Sequence, residues 1–185
     1  IQYSSFREVL FLDADNVVVR DPTFLFETSQ FDKSGTIFWP DFGRLGRDRL
    51  AWKVFGDIPY RDEPEVESGQ IVLDKARCWP ALELCHWYMQ NSNNFFFRHV
   101  HGDKEVFHLA WRRLGLEYAM PKRGIDALPG VMCQHDFEGN RVFQHRNMRK
   151  WSFHHNPRTP RFQYEDECLR FIDELKAQWS PAAQT

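Results

Sequence analysis

The chain has 185 residues, a length that fits one domain able to bury a hydrophobic core. Hydrophobic residues make up 42% and charged residues 27%, which is ordinary globular usage apart from an aromatic content of 16%. A formal net charge of -2 with dispersed basic residues argues against nucleic-acid binding, and no apolar run reaches the roughly 18 residues of a membrane-spanning helix.

The first predicted element is a strand over residues 9–12, where Val-Leu-Phe-Leu forms a short apolar run. A continuous apolar run bounded by polar residues is typical of a strand in a parallel sheet that is covered on both faces. Asp13 and Asp15 follow directly, at the carboxyl end of the strand, where α/β sheets bind ligands. The Asp-Pro pair at 21–22 ends the segment, and a turn or short helix is expected over residues 23–26.

Strands and helices alternate along the rest of the chain, a pattern that predicts the α/β class. The remaining predicted strands cover residues 36–39, 70–73, 117–120, 131–135 and 140–146. The predicted helices cover residues 47–55, 76–91, 103–114 and 164–179. Pro40 is expected to end a strand, and Pro80 to lie in the first turn of its helix. Asp103 is expected to begin the next helix as its cap or first-turn acid, and Gly115 to end it.

The cysteines, at positions 78, 85, 133 and 168, form no Cys-x-x-Cys pair, so the spacing does not indicate a zinc site. They are also too few for a small domain built around disulfides. One or two disulfide bonds stay open as alternatives, as in proteins of a secretory compartment.

The segment Leu-Phe-Leu-Asp-Ala-Asp-Asn at residues 10–16 carries the first chemical signal. Two carboxylates one residue apart can both bind a hard divalent cation, and Mg²⁺ and Mn²⁺ prefer such oxygen ligands. A cation there would neutralise charge on a departing diphosphate. An Asp-x-Asp pair also occurs as a helix cap or in a loop, so the buried strand before Asp13 is what favours the metal-binding interpretation.

Four further motifs place polar side chains where predicted elements begin or end. Asp41 follows a strand in Phe-Trp-Pro-Asp-Phe, Glu-Ser-Gly-Gln at 67–70 enters another strand, and Asp103 lies in His-Gly-Asp-Lys-Glu at a helix start. His145 lies in Phe-Gln-His-Arg-Asn-Met-Arg-Lys-Trp, where it could offer a neutral imidazole to the same metal. Lys150 in that motif could meet phosphate as a charge-assisted donor. Each residue could instead have a purely structural role, as a cap, in a turn or in the core.

Taken together and in this order, the motifs resemble those of the fungal Mnn1/Mnn2-type α-mannosyltransferases, which belong to the GT-A class of glycosyltransferases. The resemblance extends over about residues 7 to 153. It implies a GT-A-like α/β fold with a mixed, mostly parallel sheet flanked by helices. It also implies Mn²⁺ (or Mg²⁺), GDP-mannose as the donor, and transfer of a hexose, most specifically mannose, to a glycan hydroxyl with retention of configuration.

The resemblance assigns roles to the residues that match its motifs. Asp13, Asp15 and His145 would bind the metal, with Lys150 and Asn147 binding the donor beside Asp13 and Asp15. The catalytic candidates, which would line the sugar and acceptor pocket, are Glu67, Gln70 and Asp103. The remaining substrate-binding candidates are Trp39, Asp41, Ser68, Gly69 and Gly102.

The resemblance also bears on domain organisation and location. Related enzymes carry a nucleotide-binding βαβ segment before the Asp-x-Asp strand, whereas twelve residues precede Asp13 in this chain. Residues 1–185 are therefore expected to form a partial catalytic domain that lacks this segment, with the helix within residues 160–185 packing on it. The resemblance implies the Golgi lumen, and a bacterial cytoplasmic relative would be compatible with the same residues.

Two functions of other classes stay open. A haloacid-dehalogenase-like phosphatase also has an apolar strand that ends in Asp-x-Asp, with Mg²⁺ and a later acidic motif that Gly102-Asp103 could match. Against it, Asn16-Val17-Val18 replaces the Gly-Thr turn expected after that pair. The second alternative is a non-catalytic sugar-binding remnant that keeps the acceptor pocket without holding a donor.

Overall fold

The computed structural model of the chain describes residues 1–93 and 95–179, and the elements below lie within them. The strands are Glu8–Leu12 (β1), Asn16–Val18 (β2), Thr36–Arg44 (β3), Pro64–Asp74 (β4), Asp126–Leu128 (β5), Val131–His135 (β6) and Arg141–His145 (β7). The α-helices are Ser29–Ser34 (α1), Ala51–Val54 (α2), Lys75–Gln90 (α3), Asp103–Leu114 (α4) and Glu165–Gln178 (α5). Short 3-10 helices cover Pro22–Glu27 and Phe96–Arg98.

The strands form two sheets, with strand orders β1-β4-β3 and β2-β7-β6-β5. The fold is mixed α/β, as predicted, but every ladder within these two sheets is antiparallel. Among the described residues, parallel pairing is limited to a single bridge between Ile37 and Ala119. The mostly parallel sheet expected from the sequence is therefore not confirmed.

Burial on both faces of β3 and β4 explains why their sequences look like strands of a parallel sheet. In β4, Ile71 and Leu73 pack in the larger core with α3 and α4, whereas Val72 points to a second core beside the other sheet. In β3, Phe38 faces the larger core and Trp39 the second one. Alternate residues of each strand thus enter different cores, so the apolar run is continuous although the pairing is antiparallel.

The segment between β1 and β2 links the two sheets. Leu12 at the end of β1 pairs with Gln70 in the first sheet, and Asn16 at the start of β2 pairs with His145 in the second. The Asn16 side-chain amide donates to the carbonyl of Gly69 at 2.9 Å and to Gln70 Oε1 at 2.8 Å. Asp13 and Asp15 therefore lie at the junction of the sheets, held by pairing on either side.

Helix α4 begins and ends where the sequence predicts. Gly102 is its N-cap residue, with Asp103 and Glu105 in the first turn, where negative charge complements the helix dipole. Gly115 ends it in the left-handed conformation, with φ of 65°, which glycine adopts without a Cβ clash. Arg112 and Arg113 occupy the last turn, where positive charge is favourable.

Other elements differ from their predictions in their bounds. Strand β3 does not end at Pro40 but continues to Arg44, because it is an edge strand and its register shifts there, which tolerates a residue without an N–H. Pro80 lies inside α3 rather than in its first turn. The helix predicted for residues 47–55 is confined to α2, and the strand predicted for 117–120 is reduced to the bridge at Ala119.

Helix α5 forms as predicted, and its residues are all partly or fully exposed. At its start, Glu165 pairs with Arg146 at 3.2 Å, which ties the helix to the end of β7. Residues 180–185, the last part of the predicted C-terminal segment, lie outside the described residues. No helix within the described ranges combines the length and hydrophobicity needed to cross a bilayer.

All four cysteines are free thiols, three of them buried, and burial raises the pKa of Cys78 to about 12.

Candidate metal and substrate site

Backbone hydrogen bonds fix the segment that carries Asp13 and Asp15. The Asp13 N–H donates to the carbonyl of Gly69 at 2.9 Å, and the Asn16 N–H donates to the carbonyl of Asp13 at 3.0 Å. The Arg146 N–H donates to the carbonyl of Asp15, also at 2.9 Å. The segment is thus held by β4 on one side and by the end of β7 on the other, which sets the direction of both carboxylates.

Asp13, Asp15 and His145 meet at this junction. Each offers one ligand atom, and the three atoms all lie within 4.8 Å of one another. His145 Nε2 is 3.0 Å from Asp15 Oδ1 and 3.6 Å from Asp13 Oδ2. The side chain of Asp13 is 39% exposed, whereas Asp15 and His145 are buried. The cluster therefore opens to a ligand on the Asp13 side.

Glu67 and Gly69 support His145 from behind. Glu67 Oε1 accepts a hydrogen bond from the Gly69 N–H at 2.8 Å and lies 3.6 Å from His145 Nδ1, beyond hydrogen-bond distance. A Cβ at Gly69 would come within 2.5 Å of His145 Nδ1. The absence of a side chain at Gly69 is what allows β4 to approach the imidazole this closely.

Lys150 is the cationic neighbour of the cluster. Its ammonium group lies 2.5 Å from Asp15 Oδ2, and its side chain is 69% exposed. The hydrogen bond to Asp15 raises the pKa of Lys150, so it stays protonated.

Burial raises the pKa of Asp13, and the nearby carboxylates Asp15 and Asp103 raise it further against the opposing effect of His145.

An ion-pair network, formed by Asp41, Arg49, Glu65, Lys104 and Glu105, lies beside the cluster. Lys104 bonds to Asp41 and lies 3.3 Å from Glu65 Oε2. Arg49 lies 3.4 Å from Glu65 Oε1 and 3.3 Å from Glu105 Oε2. The network connects β3, β4 and the first turn of α4, so it fixes the position of that turn relative to the sheet.

The residues of the cluster fit a hard divalent cation. Two carboxylates and one imidazole are the oxygen and nitrogen ligands that suit Mn²⁺, and Mg²⁺ also accepts carboxylates. His145 Nδ1 is buried, has no hydrogen-bond partner among the residues that the structure describes, and faces Glu67. In this arrangement Nε2 can bind a metal while a carboxylate orients the ring. A cation would also stabilise the charged form of Asp13, which burial disfavours.

Most of the residues predicted from the sequence lie near one another. Glu67, Gly69 and Lys150 contact the cluster, Ser68 and Asp103 line a cavity that also includes Asp13, and Gly102 directly precedes Asp103 as the helix N-cap. Asn147 is half-buried, two residues after His145. Asp41 bonds to Lys104, and Gln70 is fully buried and accepts from Asn16.

Trp39 is the exception among the predicted substrate-binding residues. Its side chain is 0% exposed, packs edge-on against Phe143 in the second core and donates from its indole to the carbonyl of His135 at 2.8 Å. The structure therefore gives Trp39 no face for a sugar. Residue type alone misled here, because an aromatic ring serves a core as readily as a ligand.

The structure also brings in residues that the sequence analysis did not select. Asn16 and Lys104 lie inside recognised motifs, so their position beside an acidic residue was an available signal. Arg49 and Glu65 were not selected because their partners are distant in sequence. His86, Met89 and Phe107 line the cavity beside Asp13 from two helices, and their helical spacing looks like that of ordinary packing residues.

Comparison with known proteins gives two kinds of match. A family model described as "Mannosyltransferase putative" matches residues 1–65 and 53–148. The α-1,2-mannosyltransferase MNN21 of Candida albicans is 45% identical over 191 residues, covering 75% of this chain and 28% of that protein. The α-1,2-mannosyltransferase MNN5 of Saccharomyces cerevisiae is 23% identical over 197 residues, covering 77% and 34%. The α-1,2-mannosyltransferase MNN23 of Candida albicans is 22% identical over 216 residues, covering 92% and 34%. The chain spans about a third of the length of these relatives.

Proposed function

The chain belongs to the mannosyltransferase family whose model matches it, and from this premise we propose that it transfers mannose from GDP-mannose to a hydroxyl group of a glycan. The observation that carries the proposal is the meeting of Asp13, Asp15 and His145 at the junction of the two sheets. Asp15 and His145 are 130 positions apart in sequence and yet in hydrogen-bond contact. A GT-A-like architecture is part of the same proposal.

Asp13, Asp15 and His145 would hold the metal, and Lys150 would bind the donor diphosphate. When bound, Mn²⁺ or Mg²⁺ would supply positive charge that stabilises the leaving diphosphate. Lys150 is a cation whose pKa the hydrogen bond to Asp15 raises further, and its exposure lets it reach a phosphate oxygen as a charge-assisted donor. Two cationic groups would then act on the same leaving group. Asn147, which follows His145 closely, is a further candidate for donor contact.

The positions of Glu67 and Asp103 support different roles for the two carboxylates. Glu67 is buried behind His145 and accepts from Gly69, which supports an orienting role for the imidazole ring. Asp103 is exposed at the start of α4 and lines the cavity beside Asp13, so it can approach a sugar. We propose retention of configuration, by front-face attack or through a covalent adduct, and Asp103 is the better placed carboxylate for either route.

We also propose that the protein acts in the Golgi lumen, on a glycan acceptor. The reported relatives are fungal α-1,2-mannosyltransferases, which supports this location over a bacterial cytoplasm. Around Ser68 and Asp103 the site offers a hydroxyl and a carboxylate, which can hydrogen-bond to a hydroxyl-rich acceptor. Lumenal expression of a tagged full-length protein, followed by protease protection, would test the location, and a cytosolic signal would contradict it.

The phosphatase alternative has weaker support. It shares the Asp-x-Asp pair, but β1 is an edge strand paired antiparallel to β4. The Asn16-Val17-Val18 segment also stands where such a site is expected to have a Gly-Thr turn. Membership in a mannosyltransferase family also favours glycosyl transfer. Hydrolysis of a generic phosphate ester is the assay that would revive the alternative.

The decisive experiment removes a metal ligand and measures both binding and transfer. The Asp15→Ala variant should lose Mn²⁺-dependent affinity for GDP in calorimetry and lose mannose transfer to a mannoside acceptor. Asp13→Asn, which keeps the shape of a more exposed side chain, should lose the same two properties and separates ligand loss from misfolding. Asp173→Ala, at an exposed position on α5, is the matched control and should behave as wild type.

Two outcomes would contradict the proposal. Undiminished Mn²⁺-dependent transfer by folded Asp15→Ala would remove the metal assignment. A wild-type protein whose GDP affinity does not depend on Mn²⁺ would favour the non-catalytic sugar-binding remnant.

A further inference from the structure

The segment of residues 147–151, which follows β7, carries Lys150 and belongs to no helix or strand. The side chain of Lys150 is 69% exposed and Met148 is 80% exposed, so the segment projects into solvent. A long side chain on such a segment keeps one direction only if the backbone that carries it is held, because free backbone and side-chain torsions favour many directions. The contacts that hold this backbone therefore decide whether Lys150 stays beside Asp15.

The side chain that holds this backbone is Arg146, which is 0% exposed although residues 147–151 are all partly or fully exposed. Its Nε donates to the carbonyl of Arg149, directly before Lys150, at 2.6 Å. Its guanidinium carbon lies 3.8 Å from the centre of the Trp151 ring, directly after Lys150, within the range of an attractive cation–π contact. One side chain thus contacts the segment on both sides of Lys150.

Arg146 is itself fixed from three other directions. Its backbone N–H donates to the carbonyl of Asp15 at 2.9 Å, a bond that does not involve its side chain. Its Nη1 lies 3.2 Å from Glu165 Oε1 at the start of α5, and the Phe162 ring centre lies 5.5 Å from the guanidinium carbon. The guanidinium group is therefore held in one place, and it holds the segment relative to both Asp15 and α5.

A stabilising role alone explains Arg146 poorly. Burying a guanidinium removes its hydration, and a buried ion pair often stabilises a protein no more than apolar residues of the same size would. Its Nη2 is buried and has no hydrogen-bond partner among the residues that the structure describes, which adds to the cost. A planar group that donates along one direction and stacks along another sets geometry in a way that a lysine does not. These contacts therefore favour a role in placing the segment.

We propose that Arg146 is a positioning residue for glycosyl transfer, because it holds residues 147–151 so that the Lys150 ammonium group stays beside Asp15 and meets the donor's diphosphate. The identity of the donor rests on the proposed function, whereas the contacts of Arg146 do not. It follows that α5 contributes to donor binding, through the contact of Glu165 with Arg146.

The first test is calorimetry of GDP binding to the full-length protein in the presence of Mn²⁺. Arg146→Lys keeps a positive charge beside Glu165 but loses the stacking and the fixed direction of the bond to Arg149. GDP affinity should fall at least about fivefold, within the range of coupling between residues in contact. Arg141→Lys is the matched control, because Arg141 lies at the other end of β7 and its guanidinium also donates to a backbone carbonyl, at 3.2 Å. The control should bind GDP as the wild type does.

A double-mutant cycle shows whether Arg146 acts through Lys150. Lys150→Ala should weaken GDP binding at least about tenfold, the effect of losing one charge-assisted hydrogen bond. In the Lys150→Ala background, Arg146→Lys should change GDP affinity by less than about twofold, because the group that it places is gone. Arg146→Lys alone should not lower the affinity for Mn²⁺ without nucleotide. Equal losses of GDP affinity with and without Lys150, or a loss of Mn²⁺ affinity, would overturn the inference.

Hydrogen exchange followed by mass spectrometry tests the same role without nucleotide. Trp151→Leu is a second variant, which removes the stacking partner and keeps Arg146. In both variants the amides of residues 147–151 should exchange faster than in the wild type, and those of β6 should not. If Arg146→Lys does not fold, Trp151→Leu takes its place in every measurement with the same expected results.

The two measurements separate failure of this inference from failure of the proposed function. Unchanged exchange over residues 147–151 in the folded variants, or unchanged GDP affinity, would overturn the positioning role of Arg146. A wild-type protein without Mn²⁺-linked GDP affinity, in which Arg146→Lys still speeds exchange over residues 147–151, would instead contradict the proposed function.

Discussion

At the scale of single residues, the site depends on a position where a side chain is missing. Gly69 brings the backbone of β4 against His145, and its N–H holds Glu67 behind the imidazole ring. The ring is therefore confined between Glu67 on one side and the two aspartates on the other. Such confinement preorganises a metal ligand, because the ring does not have to be ordered when the cation binds.

Gly69→Ala should displace His145, because the new Cβ would lie 2.5 Å from Nδ1, a separation that real contacts do not tolerate. Perturbing the support of a ligating histidine typically costs about 10- to 100-fold in metal affinity, and we expect a loss of that size for Mn²⁺. Calorimetric titration with Mn²⁺ measures it.

The control for this variant is Gly124→Ala, because no heavy atom lies within 4 Å of a Cβ at Gly124. Its Mn²⁺ affinity should equal that of the wild type. If Gly69→Ala also bound Mn²⁺ as tightly as wild type while remaining folded, His145 would not belong to the metal site.

At the scale of elements, the ion-pair network decides where α4 begins relative to the sheet. Glu105 in the first turn is 0% exposed, and its carboxylate relies on Arg49 and on the N–H of His101, which donates at 3.0 Å. Arg49 also donates to the carbonyl of His99 at 3.0 Å. These ion pairs and hydrogen bonds thus anchor the turn that carries Asp103. Losing them would move the turn and change the width of the cavity beside Asp13.

Arg49→Met should destabilise the protein by about 3–5 kcal/mol, because it leaves a buried carboxylate without its cation. Urea unfolding at neutral pH measures the change in the free energy of unfolding. The double variant Arg49→Met/Glu105→Gln should recover most of the loss, since the uncompensated charge is gone. A single variant as stable as wild type, or no recovery in the double variant, would show that Glu105 does not depend on Arg49.

At the scale of the whole molecule, the half-buried carboxylate of Glu63 joins distant parts of the chain and makes stability depend on pH. Glu63 accepts from His108 Nε2 at 2.8 Å and from the Tyr118 hydroxyl at 2.8 Å, and it pairs with Arg112. Burial alone would raise its pKa, but these partners outweigh burial and lower the pKa of Glu63 from 4.5 to about 2. The segment before β4 is thereby tied to α4 and to the strand bridge after it.

The lowered pKa predicts acid sensitivity with a defined sign. The unfolded chain takes up the proton first, so Glu63 contributes its full stability above its unfolded pKa of 4.5 and loses it as pH falls to about 2. The contribution is about 3 kcal/mol. Urea unfolding should therefore show the wild type losing its advantage over Glu63→Gln between about pH 5 and about pH 2. A constant difference across that range would rule out this linkage.

The sequence by itself determined several of the elements and which polar residues belong together. The apolar run before Asp13, the dipole-complementing charges of α4 and the glycine that ends it are local signals, and each predicted its element. The motif order also pointed to Asp13, Asp15, His145 and Lys150, which the structure brings into contact. Such signals can be read from the sequence because periodicity and capping act within a few residues of the chain.

Only the tertiary structure decided the rest. Continuous apolar runs in β3 and β4 indicated burial on both faces but not the antiparallel pairing, because two cores on either side of an antiparallel pair produce the same pattern. Trp39 packs in the second core rather than lining the site, and Arg49 pairs with Glu105, which is distant from it in the sequence. Strand direction, side-chain partners and the cavity beside Asp13 arise from long-range contacts, which no local pattern encodes.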